Sequence, residues 1–582
     1  MKYPKIPLAQ TVVQLLKAKN IQHIVLSPGS RNAPLTIGFT YNTFFKCYSV
    51  VDERCAAFFA MGIAQQIQQP VAVVCTSGSA LLNYYPAVAE AFYSNIPLVV
   101  LSADRPKHLI GIGDGQTINQ EHVFKNHILY SANLKQDLNE ENKLEKDNLP
   151  IIKSIENKIE KYLELQETIQ NYNEKEINTA LNISISKNGP VHVNIPFNEP
   201  LYDIVEELTV SPQLMPIKES NLEIENLEAF KTIWKASKRK LVLVGVNQPN
   251  SVAQKHLDSL AEDDSVLVLT ETTSNIHHHK FIPGIDKLIG AFNQDDFKKL
   301  QPEILLTFGG LIVSKKIKKF LREFKPKHHW HVGEHNANDT FFVLDKVFKT
   351  SVNTFFSNFL ENTTTVKSDF NPYWLAQFNN RRKNHKTYME AIPFSDFQVF
   401  NQLLSTIPDN SILQVGNSSA IRYTQLFDLN KTIKVFCNRG TSGIDGSTST
   451  AIGTAAIAQE QTVFITGDLS FFYDSNALWN KYIPNNFRII VINNSGGGIF
   501  RILPGHKNTS NFDEFFETKH NLTAKQLCSM FNFEYAQASS EIDLTENLQH
   551  FYTKSEKPKL LEVFTPSKIN DEILLNYFSK IK

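Results

Sequence analysis

Short apolar runs and helical stretches alternate along this chain. His23–Leu26, Cys47–Val51, Val71–Cys75 and Leu98–Leu101 are runs of four or five largely apolar residues, the length and make-up of buried strands. Between them, Glu53–Gln66 and Ala80–Ser94 carry apolar residues at helical spacing. Strands and helices alternating on this scale predict βαβ units around a parallel sheet. Val191–Ile195 closes this first block, with a boundary near Asn198. Before it lies a segment, Lys135–Asn178, dense in Lys, Glu and Asn. Its Ile152, Ile155, Ile159 and Leu163 follow i, i+3/i+4 spacing, with Leu165 two residues on, which predicts a solvated amphipathic helical insertion; the alternative is a partner-binding arm.

A second block repeats the pattern, with strands at Leu241–Val246, Val266–Thr270 and Ile304–Phe308. Asn353–Lys386 reads as a long helical connection. A third block begins near Phe394, with strands at Ile412–Val415, Ile433–Cys437, Thr462–Thr466 and Arg488–Ile492 and a helix at Asp474–Lys481. No repeat of 20–50 residues is found. The expected architecture is α/β: three doubly wound domains with mainly parallel sheets, at about 1–198, 199–390 and 391–582.

Composition narrows the function. Lys+Arg and Asp+Glu both number 59, so the formal net charge is zero. A protein that lives on nucleic acid or an anionic membrane carries a basic excess, and this one does not. Five cysteines form no CxxC pair, and an odd number argues against a disulfide framework. The N-terminus MKYPKIPLAQ has no apolar core of a signal peptide, and no apolar run approaches the ~18 residues of a membrane span. A soluble cytoplasmic enzyme, with no nucleic-acid partner and no membrane span, is expected.

In open parallel sheets, ligands bind beyond the carboxyl ends of the strands. Here those ends are Ser27–Pro34, Asp52-Glu53-Arg54, Thr76-Ser77-Gly78-Ser79 and Ser102–Pro106 in the first block. In the third they are Gly416-Asn417-Ser418, Asn438-Arg439-Gly440, Gly467-Asp468-Leu469-Ser470 and Asn493–Gly498. Small, hydroxyl and amide residues at nearly every end suit close approach to a polar ligand. Twenty-six residues separate Asp468 from Asn494, about one βαβ unit, which returns the second motif beside the first. A carboxylate, an amide oxygen and a carbonyl in a Gly-rich turn are hard oxygen ligands that suit Mg²⁺ beside a diphosphate. The alternative for Gly467-Asp468 taken alone is a plain helix cap.

With Gly-Asp followed by Asn-Asn, the chain resembles thiamine-diphosphate enzymes. Leu469 stands where their general pattern has a third glycine, but Gly-Asp-Leu-Ser is similar to one branch, the 2-succinyl-5-enolpyruvyl-6-hydroxy-3-cyclohexene-1-carboxylate synthases of menaquinone biosynthesis. Ser27–Thr36, Asp52–Arg54, Ser102–Pro106, Asn438–Gly446 and Asn493–Phe500 look like motifs of that branch. The resemblance implies a carboligase that decarboxylates 2-oxoglutarate and adds the succinyl unit to isochorismate in a 1,4-fashion. It implies thiamine diphosphate with Mg²⁺ (or Mn²⁺) as cofactors, and a homodimer or dimer of dimers with the active site shared between subunits.

The same resemblance assigns residues. Glu53 would hydrogen-bond the cofactor's pyrimidine nitrogen; its plainer role is a first-turn carboxylate complementing the helix dipole. Asp468, Asn494 and the Gly496 carbonyl would hold the metal. Thr76, Gly78, Asn417, Ser418, Asn438, Gly440, Ser442, Gly467, Leu469, Ser470, Gly497 and Ile499 would line the cofactor, and Ile444 would bend it. The two substrates carry four carboxylates, which call for guanidinium and ammonium partners. Arg31, Arg105, Arg422, Arg439, Lys315 and Lys316 are the candidates, with Ser30, Gln116 and Ser418 as neutral donors and Ile499, Phe500 and Leu503 as apolar walls. The alternative for Lys315 and Lys316 is a solvated basic helix.

Three adjacent histidines, His277-His278-His279, do not share a face and read as an exposed loop. Two other functions stay open at this point. One is a carboligase of the acetolactate-synthase type, which the density of arginines disfavours. The other is a nucleotide- or FAD-binding protein without chemistry, which Val244-Gly245-Val246, lacking a GxGxxG continuation, disfavours.

Overall fold

The computed structural model describes residues 2–137, 151–217, 226–335, 337–361, 364–502 and 509–582, with 151–164 as backbone only. The chain forms two compact units. One is Met1–Glu219 with Thr448–Ala458 and Asp474–Ile483; the other is Ser220–Ser447, Gln459–Tyr473 and Pro484–Lys582.

The first unit is built on six parallel strands, β1 His23–Leu26, β2 Lys46–Ser49, β3 Val71–Cys75, β4 Leu98–Asp104, β5 Tyr130–Asn133 and β6 Val191–Pro196. Their order is β2-β1-β3-β4-β6-β5. Strands β3 and β4 are buried along their whole length, as expected where helices cover both faces of a parallel sheet. The helix Glu53–Ile67 follows β2 and is buried from Cys55 to Gln65. Two glycines let backbones touch on it. A Cβ on Gly62 would lie 2.2 Å from the Thr450 carbonyl oxygen, and one on Gly453 would lie 2.1 Å from that of Phe59. This close contact explains why 448–458 belongs to the first unit.

The second unit holds two sheets. The middle one is β7 Lys240–Val244, β8 Val266–Leu269, β9 Ile304–Phe308, β10 His328–Val332 and β11 Lys346–Phe348, in the order β8-β7-β9-β10-β11. One face packs on Trp234, Trp330 and Phe355, the other on Leu288, Phe320 and Trp374. The other sheet is β12 Ile412–Val415, β13 Lys434–Phe436, β14 Thr462–Gly467, β15 Arg488–Asn493, β16 Glu534–Ala538 and β17 Lys559–Phe564, in the order β13-β12-β14-β15-β17-β16. All strands of these sheets pair in parallel. The two six-stranded sheets therefore share one winding, and in both the order reverses beside the first strand. That reversal opens a crevice at the strand ends.

Several expectations change in detail. Asp474–Lys481 is a short 3₁₀ turn at Ser475–Leu478 rather than a longer helix, because the backbone leaves helical geometry at Trp479, where ψ is 64°. Asn353–Lys386 is two helices, Val352–Phe359 and Phe370–Ala391. The insertion forms the helix Ile151–Lys187; of its five marked apolar residues only the Leu165 side chain is described, and it is exposed. No described helix is long and apolar enough to cross a membrane.

Candidate active site

Strand β14 ends at Gly467, and Asp468 opens the helix Asp468–Tyr473. Its side chain is 3 % exposed and its oxygens are engaged. Oδ1 accepts the Leu469 N–H at 2.7 Å, and Oδ2 accepts the Gly496 N–H at 2.9 Å. His520 Nε2 stands 3.2 Å from the same Oδ2, at ion-pair distance. The neighbouring strand β15 delivers Asn494, as a parallel crossover returning to the adjacent strand end must. Asn494 donates from Nδ2 to Asp396 Oδ2 at 2.9 Å, which fixes the amide and leaves its oxygen as the free end. Gly496 has φ +147°, and a Cβ there would lie 2.5 Å from the Glu517 carbonyl oxygen. Only glycine fits that turn.

Asp468, Asn494 and Gly496 thus meet in one cleft of about 160 Å³. Asn417, Ser418, Ile444, Gly467, Leu469, Ser470, Gly497, Ile499 and Phe500 also line it. Nothing stands within 4 Å of a Cβ built on Gly467, so the turn faces open space. Ser470 donates to the Ile444 carbonyl at 2.7 Å, which ties the Ile444 loop to the start of the helix Asp468–Tyr473. Asn417 donates to the carbonyls of Asn438 and Gly443, both at 2.7 Å, and accepts from Arg439 at 2.7 Å. One amide therefore gathers the 438–443 loop, with Gly440 and Ser442, beside the cleft. Ser418 has φ +68°, a conformation that costs energy for any residue but glycine and is held here by its surroundings. Leu503 lies outside the described residues.

Asp396 was not marked in the sequence. It follows the N-cap Ser395 of the helix Asp396–Thr406 and looks like an ordinary first-turn acid. In the structure it is buried, accepts from Thr565 at 2.6 Å and from Asn494, and faces Asp468. Burial, with the Asp468 charge adding to it, pushes the carboxyl up to about 6.

The first unit gathers a second set. Asp52 caps the helix Glu53–Ile67 by accepting the Cys55 N–H at 3.1 Å and holds Asn476 at 2.8 Å. Behind it Asp474, fully buried, accepts from the Ser449 N–H at 2.7 Å and the Ser449 hydroxyl at 3.0 Å. Burial pushes Asp474 up to about 6. Glu53, on the same first turn, is half-buried and makes no hydrogen bond or ion pair among the described residues. Its charge reaches Cys75 at the end of β3, so it faces the strand-end turn that carries Thr76 and Gly78. A Cβ on Gly29 would lie 2.4 Å from Thr76, and one on Gly78 would lie 3.1 Å from the Gln116 carbonyl. The three loops therefore touch through their glycines. The Thr76 hydroxyl is buried without a partner.

The predicted cations come in pairs. In the first unit Arg31 and Arg105 lie close enough that, after burial, Arg105 is the chief group lowering Arg31. Asp104 holds the Arg105 N–H at 2.8 Å, and Arg105 donates to the Gly115 carbonyl at 2.9 Å, next to Gln116. In the second unit Arg422 is lowered by burial and then by Arg439, and it donates to the Ser418 carbonyl at 2.7 Å. The Nε atoms of Arg31, Arg105 and Arg439 are buried without a partner. Arg31 pairs with Glu199 at 3.2 Å and Arg105 with Asp114 at 3.5 Å, so carboxylates of the chain itself offset part of the like-charge repulsion. Ser30 is exposed. Lys315 is exposed on the first turn of its helix, whereas the Lys316 ammonium lies 3.3 Å from the centre of the Phe578 ring. The histidine triplet forms a loop in which His277 and His279 are exposed.

Comparison with known proteins covers nearly the whole chain. Residues 6–129 match the N-terminal TPP binding domain of thiamine pyrophosphate enzymes, 217–415 the middle domain of thiamine pyrophosphate enzymes, and 414–563 their C-terminal TPP binding domain. The 2-succinyl-5-enolpyruvyl-6-hydroxy-3-cyclohexene-1-carboxylate synthase of Christiangramia forsetii is 56 % identical over 589 residues, covering 100 % of both chains. The protein of the same name from Flavobacterium psychrophilum is 53 % identical over 581 residues, again covering 100 % of both. The one from Phocaeicola vulgatus is 36 % identical and covers 98 % of both.

Proposed function

The chain belongs to the thiamine-diphosphate enzymes and, within them, to the 2-succinyl-5-enolpyruvyl-6-hydroxy-3-cyclohexene-1-carboxylate synthases, and on that premise we propose how its residues divide the work. The reaction is a thiamine-diphosphate-dependent carboligation of menaquinone biosynthesis: 2-oxoglutarate loses CO₂, and the succinyl unit adds to isochorismate. When bound, thiamine diphosphate supplies the carbon nucleophile and the electron sink for decarboxylation.

The residues of the cleft fit a diphosphate bridged by Mg²⁺ (or Mn²⁺). Asp468 brings the one charge, and Asn494 an amide oxygen left free by its bond to Asp396. Gly496 brings a carbonyl in a turn only glycine can make. Two neutral oxygen donors and one carboxylate suit a hard cation that keeps water and phosphate in its remaining positions. Ile444, tied to Ser470, would press the cofactor into its bent form. Glu53, with a carboxyl at the helix start that no described residue engages, would hold the proton of the pyrimidine nitrogen. Arg31, Arg105, Arg422 and Arg439 would take the substrate carboxylates. By the family's pattern, in which the halves carrying Glu53 and Asp468 meet across two subunits, we propose a cytoplasmic dimer or dimer of dimers with shared sites.

The observation that carries this reading is the convergence of Asp468, Asn494 and Gly496 on one cleft. The test is to mix the protein with thiamine diphosphate, Mg²⁺, 2-oxoglutarate and isochorismate and follow isochorismate loss and the adduct mass. Consumption of pyruvate with 2-oxoglutarate untouched would assign the acetolactate-type reaction instead.

A further inference from the structure

Two acidic residues of the middle sheet sit where no ligand-binding motif marks them. Glu271 follows β8 and is 3 % exposed. Its Oε2 accepts the Val313 N–H at 2.7 Å and its Oε1 accepts the Ser314 N–H at 2.8 Å. Asp286 lies in the first turn of the helix Ile285–Ile289 and accepts the Ser314 hydroxyl. Ser314 in turn accepts the Ile317 N–H at 3.1 Å and so caps the helix Lys315–Glu323. The start of the lysine-bearing helix is thus held from two sides by carboxyl groups.

The segment that carries Glu271 also grips the β12–β17 sheet. Thr272 donates its N–H to Gln425 at 3.0 Å, and Gln425 ends the helix that bears Arg422. Asn275 and Val435 exchange hydrogen bonds of 2.9 and 2.8 Å, at the strand that leads to Arg439. One five-residue stretch therefore ties the helix starting at Lys315 to the segments of both arginines. The charges confirm the proximity: Arg439 and Lys318 both act on Glu271 or are acted on by it, and Lys316 and Arg422 act on Asp286. A buried carboxylate with no direct ion pair is costly for stability alone. It is the one side chain that can accept two backbone N–H groups at once while facing a cluster of cations.

We propose that Glu271 and Asp286 are positioning residues for substrate binding: they fix the start of the helix Lys315–Glu323 against Arg422 and Arg439, so that lysine and arginine cations converge on a substrate carboxylate. The proposal rests on the assignment of those cations to the substrates. A glutamine at 271 accepts one N–H and turns its own NH₂ against the other, which loosens the 313–314 backbone without removing any cation.

The experiment compares Glu271→Gln, Asp286→Asn and Arg439→Ala in the assembled holoenzyme, with KM for each substrate, kcat, and thiamine diphosphate affinity in the presence of Mg²⁺. For Glu271→Gln the KM of at least one substrate should rise by about 10-fold, the value of one well-made charge-assisted bond. Its kcat should stay within about three-fold and its cofactor affinity should not move, since general unfolding or loosening would lower all of them together. Asp286→Asn should shift the same KM less, and it carries the test if Glu271→Gln does not fold. Ser314→Ala, which deletes the hydroxyl that Asp286 accepts and with it the cap on the Ile317 N–H while keeping the backbone N–H that Glu271 accepts, should resemble Asp286→Asn and serves if neither carboxyl variant folds. If Arg439→Ala raises KM while the variants that fold keep wild-type KM values, the positioning role is wrong and the substrate assignment stands. If Arg439→Ala itself has wild-type KM values, the substrate assignment falls and the proposal with it.

Discussion

Glu53 and Asp468 occupy the same kind of place in two sheets, the turn from a parallel strand into a helix, and are treated oppositely. Asp468 is buried with both oxygens bonded and a histidine at ion-pair distance. Glu53 is half-buried and bonds to nothing among the described residues, although Asp52 beside it and Asp474 behind it are fully engaged. Partners that fix a carboxylate before any ligand arrives suit a group that must hold a metal at set distances. A carboxyl on a rigid helix start with its oxygens free suits a group whose partner comes with the cofactor. The contrast separates holding the cofactor from activating it.

The largest effect that could break this contrast is on the holding side. Asp468→Ala removes the only carboxylate assigned to the cation, and the diphosphate then faces the protein without its bridging charge. Mg²⁺-dependent binding of thiamine diphosphate, followed by calorimetry, should be lost; unchanged binding would remove Asp468 from the metal site. Next comes Glu53→Gln, which keeps size and one hydrogen bond but cannot exchange a proton. Cofactor affinity should stay near wild type while deuterium exchange at the cofactor C2 slows by ~10²- to 10⁴-fold, the usual worth of a positioned acid–base group. Equal loss of binding in both variants would erase the distinction. Third, Arg105→Ala and Arg439→Ala should each lower kcat/KM by about 10- to 150-fold, the value of one charge-assisted hydrogen bond. Wild-type kinetics would place them outside the site.

How much of this could be seen in the sequence follows from where each signal is local. The apolar runs of β1, β3, β9 and β12 match their strands residue for residue, because a strand buried along its whole length is apolar at most positions and stands out from the polar turns at its ends. Strands β5, β10, β11, β16 and β17 were missed. Tyr130–Asn133 and Glu534–Ala538 are largely polar edge strands, and His328–Val332 carries three histidines. Their pairing is decided by the sheet, not by their own composition. The meeting of Asp468 with Asn494 in one cleft was legible because Gly467-Asp468 and Asn493-Asn494 are contiguous motifs one crossover apart. Asp396 and Glu271 were not, since each acquires its partners from segments far along the chain: Asn494 and Thr565 for one, Val313 and Ser314 for the other.

Glu271 gives the contrast a third point and the smallest effect, one on stability. Like Asp468 it accepts two backbone amides, but among the described residues no histidine or other basic side chain stands at ion-pair distance from it. Burial is the main reason its carboxyl is pushed up to about 7 from the usual 4.5; Asp286 adds to the rise, and Arg439 and the Val313 and Ser314 amides oppose it. Lys318 also faces the group. In the unfolded chain Glu271 releases its proton near the ordinary value, so between about pH 4.5 and 7 the folded protein binds more protons than the unfolded one. Its contribution is therefore fully present below that window and is lost as pH rises through it. Glutamine has no proton to lose. The stability of Glu271→Gln relative to wild type should accordingly improve with rising pH across the window, by no more than ~1.4 kcal/mol per pH unit for a single proton. Urea melts of both proteins at intervals from about pH 4 to about pH 8, chosen to bracket the window on the basis of linkage, read this difference directly. A difference that stays flat, or that grows against the variant as pH rises, would mean that Glu271 is already charged throughout and that its two amides hold it ionised as the surroundings of Asp468 would hold that group.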